Sequence, residues 1–189
     1  LTRMHLEIYS DTVRASACDA FRMAVTEIKC NCGGKMSVTV PKQSFFYLAN
    51  AVEDKDLLEF GLNANTLVFI KSDMLFSTRI ISEPFMNIDR LLNMPDKMLV
   101  AKIKANDMKT MAETVSMITN VSEDTAPVLL KFKNNNLQLS IESTEAESML
   151  NVPIESVNMI SGEFYYNAKY FSDMLKVIRG DVDVYMTKR

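Results

Sequence analysis

The sequence contains an internal repeat, and this feature constrains the fold more than any other. Leu6 and Ile8 match Leu130 and Phe132 at an offset of 124 residues, and apolar and polar residues alternate around them in both copies. Further apolar matches follow in the same order: Val13 with Leu137, Ala15 with Leu139, Ala17 with Ile141, Ile28 with Val152, Phe45 with Phe171 and Leu48 with Met174. Each copy therefore predicts a hairpin, two strands, a helix and a strand, which indicates two domains of one fold.

The hydrophobic periodicity assigns the elements. Alternation with a period of two is typical of half-buried strands, and spacing of three and four residues is typical of helices. Strands are predicted at 22–29, 36–40, 57–62, 66–71 and 74–81, besides a hairpin at the N-terminal end. Helices are predicted at 43–52, 106–119 and 167–179. Many strands with few helices favour an α+β fold, in which antiparallel sheets pack on helices, over a parallel βαβ sheet.

The two copies meet at 82–97, where Pro84 and Pro95 interrupt the periodicity. We therefore predict one domain at 1–97 and a second at 98–189. The helix at 106–119 precedes the second copy and has no counterpart before the first copy. The strands at 66–71 and 74–81 have no counterpart after the second copy. The sequence is thus expected to lack roughly 25 residues at each end of a complete two-copy unit.

The composition is that of an ordinary globular protein, with 48% hydrophobic residues, 24% charged residues and a formal net charge of −3. No apolar run of about 18 residues exists, and the N-terminal residues lack the apolar segment of a signal peptide. Three cysteines are few and odd in number, which favours a reducing compartment and hence the cytoplasm. We expect Cys18, Cys30 and Cys32 to be free thiols, and no metal site, because their spacing lacks a C-x-x-C pair.

Few residues are available for catalysis. The sequence has one histidine, and the motifs G-x-x-x-x-G-K-[ST], G-x-S-x-G and H-E-x-x-H do not occur in it. His5 lies in a predicted strand with no base or nucleophile near it in sequence, which favours a structural role. Two alternatives stay open at this point: a small α+β enzyme that reacts through Cys18 or His5, and a scaffold protein on the same duplicated fold.

Several motifs resemble one family. The residues ACDAFRMA at 17–24 resemble the A-T-D-G-H-R-L-A segment of the bacterial sliding clamp, the DNA polymerase III beta subunit. VTVPK at 38–42 resembles its V-x-V-P-[RK] entry to a helix, and 76–92 resembles the segment that begins F-x-S-[KR]-L. MPDK at 94–97 matches the interdomain N-P-D-K, and YNAKY at 166–170 matches F-N-x-x-Y. These matches occur in order along nearly the whole chain.

The resemblance implies a processivity factor for DNA replication. In this family each protomer has three clamp domains, and two protomers form a head-to-tail ring around duplex DNA of any sequence. The chain resembles most of the middle domain and most of the last domain. The implied partners are duplex DNA and two proteins, the replicative polymerase and the clamp loader. The two proteins would bind through short linear motifs. The resemblance implies no cofactor and no enzymatic activity. The small α+β enzyme and a scaffold without DNA binding stay as the alternatives.

The resemblance also places a peptide-binding groove between the middle and last domains. The matching residues here are Leu1, Cys18, Ala20, Phe21, Arg22, Met23, Met86, Arg90, Leu91, Asn167 and Tyr170. Arg22, Asn167 and Tyr170 would orient a peptide that carries a glutamine and a hydrophobic pair. Leu91, Met23 and Met86 would receive its hydrophobic residues. The chain departs from the family at Cys18, at Ala20-Phe21 and at Met86, so the preferred peptide is expected to differ.

Two further surfaces follow from the resemblance. DNA-facing cations would come from the predicted helices or positions beside them, namely Lys42, Lys104, Lys109, Lys169, Lys176 and Arg179. Acidic residues on the same helices weaken this signal. Met117 and Ile118 match the surface through which the last domain meets the first domain of the other protomer. Because the chain has no match to a first domain, we expect a monomer or weak association.

Overall fold

The computed structural model describes residues 3–19, 21–119, 127–142, 147–158 and 162–187. The chain divides into two compact units, Leu1–Leu91 and Leu92–Arg189. The sequence places the division a little later, after Lys97. Among the described helices, none is long and apolar enough to cross a membrane.

The first unit contains two antiparallel sheets. Strands β1 (Arg3–Ile8), β2 (Thr12–Cys18), β3 (Met23–Lys29) and β4 (Met36–Pro41) form a sheet in the order β3-β2-β1-β4. Helix α1 (Lys42–Ala51) follows, and β5 (Glu59–Asn63), β6 (Thr66–Lys71) and β7 (Met74–Arg79) form the second sheet in the order β5-β6-β7. The short helix α2 (Ile88–Leu92) lies at the division between the units.

The second unit repeats the order of the first sheet. It begins with β8 (Lys97–Ile103) and helix α3 (Ala105–Thr119). Strands β9 (Pro127–Lys133), β10 (Asn136–Glu142), β11 (Glu147–Pro153) and β13 (Gly162–Asn167) form a sheet in the order β11-β10-β9-β13. Helix α4 (Ala168–Val177) follows β13, and β12 (Glu155–Ser156), β8 and β14 (Val182–Thr187) form the order β12-β8-β14. The predicted α+β class with duplicated antiparallel sheets is confirmed.

The alternation of side chains along the strands builds each core. On β10, Leu137, Leu139 and Ile141 are at most 1% exposed, while the residues between them are not buried. Residues i and i+2 of a strand share one face, so this pattern directs the three side chains toward the helices. In the first unit the buried core consists of Leu6, Val38, Val40, Leu48, Leu67 and Phe69.

The helices that follow β4 and β13 bury different faces. On α4, Ser172 and Leu175 are buried, and the Ser172 hydroxyl lies 3.4 Å from the Ser116 hydroxyl of α3. The matching positions of α1 are Phe46, which is 66% exposed, and Ala49, which is exposed. The difference arises because α4 packs against α3, whereas α1 packs on β1 and β4.

The prediction of three free thiols is wrong for two of them. Cys30 and Cys32 form a disulfide, while Cys18 is free. The backbone N–H of Cys30 donates to Asp11 and that of Cys32 donates to Ser10, so the loop after β3 is held against the β1–β2 turn. Cysteine content therefore no longer argues for a reducing compartment.

Candidate functional site

The turn between β2 and β3 is organised by Asp19. Its Oδ1 accepts hydrogen bonds from the backbone N–H groups of Phe21 and Arg22, both at 2.9 Å, and its Oδ2 accepts one from Arg22 Nε at 3.1 Å. The pKa of Asp19 is held below its usual range, mainly by the hydrogen bond from the Phe21 N–H and further by the hydrogen bonds from Arg22. The carboxylate thus fixes a turn whose Phe21 side chain is 77% exposed.

A segment after β7 meets this turn. We call residues 80–91 the strap, because they lie against the polar face of β1 and β2. Cys18 Sγ lies 3.0 Å from Met86 Sδ of the strap, and Cys18 is the cross-strand partner of Met23. Met86 is 48% exposed. The structure therefore brings Met86 to two residues of the predicted groove, Cys18 and Met23, that lie more than 60 residues before it in the sequence.

Stacked rings attach the strap to β1. The rings of His5 and Phe85 are parallel within 6° at a centroid distance of 4.7 Å. His5 Nδ1 lies 3.0 Å from the Thr39 hydroxyl, and Nε2 lies 3.3 Å from the Ser37 hydroxyl. Burial lowers the pKa of His5, and the Glu7 carboxylate opposes that shift. Both ring nitrogens have a hydroxyl neighbour, which gives His5 the structural role predicted for it.

The strap and the sheet enclose an open cavity of about 520 Å³. It is lined by polar residues of β1 and β4 together with the strap, including Glu7, Ser37, Thr39, Glu83 and Asn87. Ser16 on the same face of the sheet is fully buried, and its hydroxyl has no hydrogen-bond partner among the described atoms. No described group of three His, Cys, Asp or Glu side chains could hold a metal ion.

An arginine joins the strap to three strands. Arg14 Nη1 lies 2.7 Å from Asp89 Oδ1 of α2 and 3.4 Å from Glu7 Oε2, and its Nε donates to Glu27 Oε1 at 2.6 Å. The hydrogen bond to Glu27 is the largest cause that raises the pKa of Arg14 above its usual value. The Arg14 side chain is 17% exposed. Asn87 Oδ1 accepts from the backbone N–H of Arg90 at 3.1 Å and so caps the start of α2.

Sequence reasoning missed these supporting residues. Asp19 carries a local signal, since an aspartate three residues before an arginine in a turn can accept from the backbone. Asn87 also carries one, as a capping residue type just before an apolar turn of helix. The pair Arg14 and Asp89 carries none, because its members are 75 residues apart.

The predicted groove residues of the second unit lie at the start of α4. Asn167 is the N-cap of this helix, and its Oδ1 accepts from the backbone N–H of Tyr170 at 3.1 Å. Asn167 is exposed and Tyr170 is half-buried. Asn167 thus has a local structural role besides the peptide contact predicted for it. Leu1 and Ala20 of the predicted groove lie outside the described residues, and Arg90 is exposed while Leu91 is half-buried.

The predicted DNA-facing cations have unequal surroundings. Lys104 donates to Asp181 at 2.8 Å, and Lys109 lies 3.9 Å from Glu113. Arg179 donates to the carbonyls of Lys176 and Ile178 at the end of α4. Lys42, Lys169 and Lys176 are exposed at the ends of their helices. The charge of Lys104 is therefore largely balanced by Asp181, whereas the exposed lysines of α1 and α4 are more available to a ligand.

The residues predicted for a protomer interface lie near the end of α3. Met117 is 69% exposed. Ile118 belongs to the same helix, and its side chain lies outside the described residues.

Comparison with solved structures first shows which class of fold the chain has. The duplicated α+β units have the fold of bacterial DNA sliding clamps: the chain superposes on the DNA polymerase sliding clamp from Bacillus subtilis with a TM-score of 0.86 at 18% identity, covering 98% of this chain and 50% of the clamp. For the DNA polymerase III subunit beta from Pseudomonas aeruginosa the TM-score is 0.83 at 22% identity, with 99% and 52% covered. For the beta subunit from Thermotoga maritima it is 0.78 at 15% identity, with 96% and 49% covered.

The first unit also has a sequence match. Residues 1–87 match the family model of the DNA polymerase III beta subunit, central domain. This match confirms the resemblance that the motifs indicate. The chain spans about half the length of the solved structures that it matches.

Proposed function

We propose that the chain is part of a DNA polymerase processivity factor, a sliding clamp that holds the replicative polymerase on duplex DNA. In this proposal the first unit is the middle clamp domain and the second unit is the last one. The chain acts as an accessory subunit in the cytoplasm, by tethering rather than by catalysis. The match of residues 1–87 to the central domain of the beta subunit supports the proposal.

The contact between Cys18 and Met86 is the observation that carries the peptide-binding part of the proposal. It joins the β2–β3 turn to the strap, so that exposed Phe21 and Met86 lie on neighbouring segments. Exposed apolar side chains beside oriented polar groups are typical of a surface that binds a short peptide. Arg22, held by Asp19, supplies such a group. We propose that polymerase and clamp-loader peptides bind this surface, and the family resemblance adds Asn167 and Tyr170 of the second unit as further peptide contacts.

The DNA-binding part of the proposal depends on cations of the helices. A clamp that slides should contact phosphates without reading bases, so its contacts should be electrostatic and delocalised. Lys42, Lys169 and Lys176 are exposed, and these are the residues that we propose to face DNA most directly, with Lys109 and Arg179 as weaker contributors. The net charge of −3 is compatible, because only the surface facing DNA needs to be positive.

Peptide binding tests the proposal. A fluorescein-labelled peptide with a Gln-Leu-x-Leu-Phe motif should bind the chain in fluorescence polarisation, and Tyr170→Ala should weaken binding by about 1–3 kcal/mol if Tyr170 is a hot spot. Leu91→Ala should also weaken binding, because it removes an apolar contact from the groove.

Matched variants control for nonspecific effects. Tyr165→Ala removes a 62% exposed tyrosine from β13, and Leu57→Ala removes an 84% exposed leucine from the first unit. Both are outside the proposed groove and should leave the affinity unchanged. If Tyr170→Ala and Leu91→Ala also leave it unchanged, the groove assignment is wrong.

A further inference from the structure

Helix α2 cannot fix its own position. It has five residues, Ile88–Leu92, and isolated helices of this length do not form in water. Ile88 is 4% exposed and provides its apolar anchor. Arg90 and Leu91, which the proposed groove uses, follow in the same turn. Their placement therefore depends on contacts that the strap makes with the sheet.

Arg14 provides a polar contact of this kind. Its guanidinium reaches Glu7 on β1, Glu27 on β3 and Asp89 on α2, so one side chain connects three strands with the helix. The planar fork of an arginine can serve several carboxylates at once, which a lysine ammonium cannot do with the same geometry. The Arg14 side chain is 17% exposed and the Asp89 side chain is 57% exposed, so the arginine is packed against the sheet while its partner on α2 reaches solvent.

The position of the pair relates it to the groove. Arg14 lies on β2, the strand that ends at Cys18, and Asp89 directly precedes Arg90. The Cys18–Met86 contact joins the same two segments at the other end. The strap is thus attached to β2 at two points: groove residues Cys18 and Met86 form one of them, and groove residues Arg90 and Leu91 follow the other.

We propose that Arg14 is a positioning residue for the peptide-binding groove, which it serves by holding α2 through Asp89. This inference rests on the proposed function, because it concerns the same groove. Arg14 does not contact the peptide in this account. It fixes the positions of Arg90 and Leu91 before the peptide binds. Loss of Arg14 displaces α2 but does not unfold the first unit.

Two variants test the pair. Asp89→Asn removes the charge that Arg14 holds, and Arg14→Lys keeps the positive charge but loses the fork. Each should weaken a labelled Gln-Leu-x-Leu-Phe peptide, acetylated and amidated at its ends, by about threefold to tenfold. The double variant should bind the peptide no more weakly than the weaker-binding single variant, because both substitutions break the same Arg14–Asp89 ion pair. The melting temperature should stay close to that of the wild type in Asp89→Asn.

The matched control is Glu83→Gln. Glu83 forms an ion pair with Arg3. Its substitution by glutamine removes one negative charge from the strap, as Asp89→Asn does, but lies outside α2. It should leave the affinity unchanged. Amide hydrogen exchange of residues 88–92 can be measured without a peptide. The exchange rate should rise in Asp89→Asn and stay unchanged in Glu83→Gln.

The outcomes separate the two proposals. If the wild type binds the peptide and Asp89→Asn binds equally well, the positioning role is wrong and the proposed function stands. If the wild type does not bind, the proposed groove function is wrong. Hydrogen exchange then shows whether Arg14 holds α2 at all: faster exchange in Asp89→Asn supports that contact, and unchanged exchange overturns it. Additive losses in the double variant also overturn the positioning role.

Discussion

A buried hydroxyl without a partner is a local cost to the first unit. Ser16 is fully buried on β2, and no described atom accepts or donates a hydrogen bond to its Oγ. Leaving a buried polar group unpaired costs the free energy of its lost hydration. Ser16→Ala should therefore raise the free energy of unfolding by about 1 kcal/mol, measured by urea denaturation.

A second buried serine provides the control. Ser172 is 2% exposed and its hydroxyl lies 3.4 Å from that of Ser116. Ser172→Ala should lower the free energy of unfolding, because it removes one partner of a buried contact. Destabilisation by Ser16→Ala would contradict the reasoning.

His5 should make stability depend on pH between about 5.5 and 7.5. Burial lowers its pKa in the folded state, so in this range the unfolded state binds the proton more tightly. Stability is then full above the ordinary histidine pKa and falls as the pH is lowered toward the folded-state pKa. His5 is the one histidine of the sequence, and the aspartates and glutamate whose pKa values are lowered titrate in more acidic solution.

Thermal melting at several pH values checks this expectation. The melting temperature should fall from pH 7.5 to pH 5.5, and the fall should be reduced in His5→Gln, which keeps a polar side chain on β1. An equal fall in both proteins would show that His5 is not responsible.

At the scale of an element, α4 depends on its N-cap. Asn167 accepts from the backbone N–H of Tyr170, which would otherwise lack an intrahelical partner. Asn167→Ala should lower the stability of the second unit by about 1 kcal/mol, and Asn167→Ser should retain most of it. Chemical denaturation followed by circular dichroism measures both. A weaker peptide affinity in Asn167→Ala would thus mix a binding effect with a displaced helix, so Tyr170 and Leu91 are the better tests of the groove.

The elements also show what the sequence can and cannot predict. The three long helices and the strands with regular alternation were predictable, because their apolar residues face one core. Ile28 was matched with buried Val152, yet it is 61% exposed. Both lie on edge strands, but α3 packs on β11, and the described part of the first unit has no helix before its first sheet. Helix α2 is too short to show a helical periodicity. The family motif at 76–92 assigns Arg90 and Leu91 to the groove, but it does not predict a helix there.

The candidate site was predictable only in part. Family motifs indicate Cys18, Met23 and Met86, and the structure brings these residues together. The residues that support them were not predictable from one sequence where the contact is distant, as for Arg14 with Asp89. The disulfide was missed because the spacing of Cys30 and Cys32 does not distinguish a pair of free thiols from a bonded pair.

At the scale of the whole molecule, we predict that the chain is a monomer in solution. The resemblance implies that rings close between the last domain of one protomer and the first domain of the other, and the chain spans about half of the solved clamps. Sedimentation velocity over a range of concentrations should show a single monomeric species or weak association. A tight dimer would contradict the prediction, and loss of that dimer in Met117→Glu would locate its contact on α3.

The pairing of β8 with β14 affects how the second unit is made. These are the first and last strands in the described part of that unit, and Asp181, just before β14, accepts from the backbone N–H of Ala105 at the start of α3. During synthesis β8 and the start of α3 emerge well before their partner strand and cap, since Asp181 follows Ala105 by 76 residues. Contacts of such long sequence separation slow folding. Until β14 has emerged, β8 can pair only with the two residues of β12, so most of this strand needs protection from aggregation.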